Sequence, residues 1–101
     1  MKKNVNFGEV IIALKEGKMA SRIGWNGTNM FIVKQIPSEI PSDIIPRLQS
    51  LPQSAKDLMA GRTPTSLKYN NQMLLIKSDG IADSWIPSSS DIFAEDWIIL
   101  N

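Results

Sequence analysis

Near the start of the chain, apolar residues follow a helical spacing, and over much of the rest they come in short runs. Phe7, Val10, Ile11 and Leu14 stand at i, i+3, i+4 and i+7, which places them on one stripe of an α-helix. Asn6 precedes the stripe as an N-cap with Glu9 in capping-box spacing, and Gly17 stands where a C′ residue ends such a helix. The pattern predicts a short helix that lays this stripe on a sheet.

Met19-Ala20-Ser21-Arg22 and Met30-Phe31-Ile32-Val33-Lys34 read as strands on either side of Asn26-Gly27. That dipeptide tolerates positive φ at both central positions of a type I′ turn, so a tight hairpin is predicted with Trp25 at its rim. Prolines at 37, 41, 46, 52 and 64 then interrupt regular structure, and about 37–66 reads as an insertion. Inside it, 52–60 is a short helix ended by Gly61, while Ile40, Ile44, Ile45 and Leu48 are too apolar for a free linker. Such a segment folds over the sheet or packs on a neighbouring subunit.

Lys68 to Lys77 reads as one strand, Ser78-Asp79-Gly80 as a turn, and Ile81 to Ile86 as the returning strand, stopped by Pro87. Ser89 or Ser90 then caps a helical turn through Ile92-Phe93-Ala94, and Asp96 to Leu100 is a last strand. The fold class predicted is α+β: a small antiparallel sheet, an N-terminal helix packed on one face, and a proline-rich, partly helical insertion, all in a single domain over 1–101.

Composition sharpens the functional picture mainly by exclusion. The 11 Lys and Arg against 10 Asp and Glu leave a net charge of +1, so no broad basic surface is available for a nucleic-acid polymer. Any bound anion must be held by a local pocket. The chain has no cysteine and no histidine, which removes disulfides, thiol nucleophiles, Cys/His zinc sites and an imidazole base. No metal or cofactor is expected. No apolar run is long enough to span a membrane, and a cytoplasmic protein is the expectation.

Ser88-Ser89-Ser90 lacks a base to activate it and suits hydrogen bonding to phosphate or sugar hydroxyls better than attack. Asp91 and Glu95 leave open an alternative, a small hydrolase of a nucleotide or glycan. Trp97 belongs to the core, whereas Trp25 and Trp85 sit at strand ends beside polar residues, where either stacking on a base or a place at the core's rim is compatible with the pattern.

Several short motifs recur in a familiar order: Phe7-Gly8-Glu9, Arg22-x-Gly24-Trp25-Asn26-Gly27, Met30-Phe31, Asp79-Gly80, Trp85-x-Pro87-Ser88-x-x-Asp91 and Ala94-Glu95-Asp96-Trp97. Together they resemble the second Thoeris anti-defence family of bacteriophages. The resemblance implies a non-enzymatic sponge that sequesters cyclic ADP-ribose-type immune signals, chiefly glycocyclic ADP-ribose, and in some members cyclic dinucleotides of the CBASS pathway. It implies homo-oligomers, typically tetramers, with pockets at subunit interfaces in the infected cell. By matching position it implies Arg22 as a phosphate contact, Trp25 as a stacking wall, Asn26 as an amide to sugar or base, and Trp85, Ser88 and Asp91 as a second wall, with Tyr69 as a further candidate. A protein-binding phage inhibitor is the remaining alternative.

Overall fold

A computed structural model describes residues 1–25, 29–62 and 66–101. In chain order the strands are β1 (Lys2–Val5), β2 (Met19–Arg22), β3 (Phe31–Lys34), β4 (Ser38–Ile40), β5 (Leu67–Tyr69), β6 (Met73–Ile76), β7 (Ala82–Trp85) and β8 (Trp97–Leu100). The helices are α1 (Phe7–Lys15), α2 (Gln53–Ala60) and α3 (Ser89–Phe93). The fold is α+β. The chain divides into two compact units, 1–35 with 71–101, and 36–70.

The first unit is a six-stranded sheet in the order β1-β8-β2-β3-β6-β7, every neighbouring pair antiparallel. Register sorts its side chains. Ala20 lies opposite both Ile99 and Ile32, and Arg22 opposite Trp97, so these residues share the face on which α1 packs. Val5, Val10, Ala13, Leu14, Ala20, Ile32, Trp97 and Ile99 form the buried core, with Phe7, Trp25 and Trp85 among the half-buried residues against it. Full burial of a side chain such as Val10 or Ile32 contributes about 2 kcal/mol.

The α1 stripe forms as the spacing predicts, and its ends explain why the helix stops where it does. Asn6 Oδ1 accepts the Glu9 N–H at 2.9 Å. The Glu9 carboxylate turns to Lys2 Nζ at 3.1 Å instead of back to Asn6, so only half of the capping box is made. At the other end Gly17 takes φ +85°, and the Lys18 and Gly17 N–H groups close onto Ala13 and Leu14 carbonyls, each at 3.0 Å. This is a Schellman closure.

Two sequence expectations change, two strands are added, and one expected turn, Asn26-Gly27, lies outside the described residues. The strands flanking that turn pair Ala20 with Ile32. The single strand expected over Lys68 to Lys77 is two: β5 pairs with β4 in a separate two-stranded sheet and β6 joins the main sheet, parted at Asn70, Asn71 and Gln72, exposed amides with no apolar face to bury. The helical turn after Pro87 is capped by Ser88, not Ser89 or Ser90, because Asp91 at N3 completes a full capping box with Ser88. Finally β1 and β4 were not anticipated; β1 pairs with β8 through a register shift, with Asn4 at φ +54°. The turn after β6 forms as expected: Lys77 O accepts from the Gly80 N–H at 2.9 Å with Gly80 at φ +86°.

The second unit holds the β4–β5 ladder, a 3₁₀ turn Ile45–Arg47 around buried Ile45, and α2. Pro52 and Gly61 bound α2 as predicted. This unit leaves and re-enters the sheet at one rung, where β3 and β6 pair Lys34 with Met73 and the Gln35 N–H donates to Gln72 O at 2.8 Å.

Candidate functional site

Arg22 ends β2 on the core face, opposite Trp97, so its guanidinium enters a partly buried setting that must supply counter-charge. Two carboxylates supply it. Nε donates to Asp96 Oδ1 at 2.9 Å, Nη2 to Asp96 Oδ2 at 3.5 Å, and Nη1 to Asp91 Oδ1 at 2.9 Å. Each carboxylate is fixed from behind. Asp96 Oδ2 also accepts the Gly24 N–H at 3.3 Å, and Asp91 Oδ2 accepts from Ser88 N–H at 2.9 Å and Ser88 Oγ at 2.8 Å. The cluster thereby ties β2, the start of the β2–β3 connection, α3 and the approach to β8.

The charges respond as this geometry requires. Hydrogen bonds to Asp96 and then Asp91 raise the Arg22 pKa above its already high ordinary value. Asp96 is held below the usual carboxylate range chiefly by its bond from Arg22. For Asp91 burial pushes the other way, yet the donors of Ser88 and Arg22 outweigh it and its pKa is lowered.

Beside this cluster the three tryptophans meet edge to face. Trp25 lies 5.4 Å from Trp97 and 6.0 Å from Trp85, and Trp85 lies 6.2 Å from Trp97, with rings crossed at 71–77°. Trp97 is fully buried and donates its indole N–H to Asp91 O at 2.9 Å. Trp25 and Trp85 stay half-exposed on top of it.

At this end of the sheet opens a recess of about 470 Å³, lined by Lys3, Ser21, Arg22, Ile23, Trp25, Asn29, Met30 and Ile98. Its lining residues carry an amine, an amide and a hydroxyl alongside apolar side chains, with Trp25 and Arg22 bordering it.

The structure thus brings together five residues singled out by sequence, Arg22, Trp25, Trp85, Ser88 and Asp91. Asn26 lies outside the described residues. Tyr69 belongs to the second unit, half-buried on β5 opposite Ser38. Sequence reasoning missed Asp96 as the main partner of Arg22, and missed Lys3 and Asn29 in the recess. Asp96 carried a usable signal, since it precedes the core residue Trp97 that faces Arg22 across the ladder. Lys3 carried none, because β1 was not foreseen. Among the described residues no group of three or more Asp or Glu is placed to hold a metal ion, and no helix is long and apolar enough to cross a membrane.

The profile of the Thoeris anti-defense 2-like domain matches residues 5–100. The chain belongs to this family. It is also 30% identical over 101 residues to Thoeris anti-defense 2 of Bacillus phage SP01, with the whole of each chain covered. The Thoeris anti-defense 2-like match takes in every residue of the Arg22 cluster and all of the recess except Lys3. An anti-defence role follows from the family.

Proposed function

We propose that this member of the family sequesters a cyclic ADP-ribose-type signal, glycocyclic ADP-ribose first among them, without degrading it. The recess bordered by Trp25 carries this reading: a partly exposed indole for adenine and polar groups for ribose and diphosphate stand at the same end of the sheet. Arg22, Trp25, Asn26, Trp85, Ser88 and Asp91 belong to the binding region or its support; Tyr69, in the second unit, stays a separate candidate contact. Sequestration needs no catalytic base, and the sequence supplies neither histidine nor cysteine to be one.

Nanomolar binding, about −12 kcal/mol, calls for a largely enclosed ligand. The recess is open on one subunit, so closure by a second copy in a homo-oligomer, a tetramer in the simplest case, completes it. Ile86, just before α3, and Phe93, its last residue, are 87% and 82% exposed and supply apolar area for that contact. The setting for this activity is the cytoplasm of the infected cell.

The test is isothermal titration of the purified protein with glycocyclic ADP-ribose, then heat denaturation and chromatography of the released nucleotide. Tight binding with intact ligand returned supports sequestration. Recovery of a cleaved ligand would establish a hydrolase. No heat with this nucleotide, nor with cyclic dinucleotides tested next, would move the function to a protein partner.

A further inference from the structure

Arg22 is the obvious cation for a diphosphate, yet its charge is already spent. Two carboxylates, Asp91 and Asp96, stand against one guanidinium, and three of its N–H directions are committed to them. Taken as a group, the cluster carries one net negative charge and repels an anion. The other residues lining the recess are Ser21, Ile23, Trp25, Asn29, Met30, Ile98 and Lys3. The sequence from 23 to 30 contains no lysine or arginine. Lys3 is therefore the one lining residue whose charge is uncompensated: among the described residues its amine makes no ion pair, whereas neighbouring Lys2 is bound to Glu9.

Its placement is specific. Lys2 faces the helix-covered side, opposite Ile99, and the alternation of β1 sends Lys3 to the other side, beside Ile98 and Ser21 of the adjoining strands. The register shift with Asn4 at φ +54° then restores Val5 to the core, so that β1 presents one lysine to the recess without losing its buried anchor.

We propose that Lys3 is the phosphate-binding cation of the recess, and that Arg22 is a positioning residue that fixes Trp25, α3 and the β2–β3 connection through its two carboxylates. This rests on the sequestration reading above. It deepens that reading by exchanging the roles of two residues. The ammonium acts as a point charge at the mouth, where solvent screens it, so binding through it weakens with added salt.

The experiment titrates wild type, Lys3→Gln, Lys3→Arg and Arg22→Lys with glycocyclic ADP-ribose at low and high ionic strength, with a thermal melt of each variant. Lys3→Gln is expected to melt as wild type does, to bind about tenfold more weakly at low salt, and to lose most of the salt dependence, while Lys3→Arg restores both. Arg22→Lys is expected to lower the melting temperature and to weaken binding at both salt concentrations while the salt dependence persists. Wild-type affinity and salt dependence in Lys3→Gln would overturn the assignment while leaving sequestration standing. Failure of the wild type itself to bind would overturn both.

Discussion

Arg22 shows how one buried-end cation organises its neighbours. Its side chain is 20% exposed, Asp91 14% and Asp96 34%, so the pairs are screened less than surface pairs but not fully desolvated. Arg22→Ala leaves two carboxylates facing each other without their donor, and a loss of about 2–3 kcal/mol is expected, read as a fall in melting temperature of about 10 °C or more. Arg22→Lys recovers little of it, since one ammonium cannot span two carboxylates in the fork geometry used here. The same network sets an acid limit. Asp91 and Asp96 have lowered pKa values in the folded protein, so the unfolded chain binds more protons as pH falls through about 4, and stability declines there. It is fully present above that range. Thermal melts from pH 6 down to pH 3 are expected to show the decline, and Asp96→Asn is expected to flatten it.

Among the elements, α3 depends most on a single side chain. It has five residues, too few to hold by propensity, and Ser88 both accepts the Asp91 N–H at 3.2 Å and donates to the Asp91 carboxylate. Ser88→Ala is expected to cost about 1–2 kcal/mol by chemical denaturation, against a few tenths for Ser89→Ala or Ser90→Ala. Equal losses at all three serines would disprove the cap assignment. At α1, Gly17→Ala meets no neighbour within 4 Å but must keep φ +85°, which sets a cost of about 1 kcal/mol. The contrast between these two helices explains what the sequence made legible. The α1 stripe, the Pro52 and Gly61 limits of α2, and the Asp79-Gly80 turn are local patterns, and each forms where its residues stand. The register of β2 on β3, the split at Asn70 and Asn71, and the recruitment of β1 depend on partners remote in sequence. So does the pairing of Arg22 with Asp91 and Asp96, which are 69 and 74 positions away.

At the scale of the molecule, every residue of the main buried core lies outside 36–70, and the chain crosses into that stretch and back at one ladder rung. Replacing 36–70 by a short glycine-containing turn from Gln35 to Asn71 is therefore expected to leave a sheet that still melts cooperatively by far-ultraviolet circular dichroism. Loss of the cooperative transition would show that the sheet needs the second unit. The same deletion removes Tyr69, so retained nucleotide binding would also dismiss that contact. One further property follows from the tryptophans. Indoles 5.4–6.2 Å apart and steeply crossed do not absorb independently; their electronic transitions mix, and the mixed bands acquire rotational strength in the near ultraviolet. With all three of the chain's tryptophans in that one group, the aromatic spectrum reports on a single place in the fold. A base settling on Trp25 would change the colour balance of the whole set, giving an unlabelled optical gauge of occupancy beside the recess.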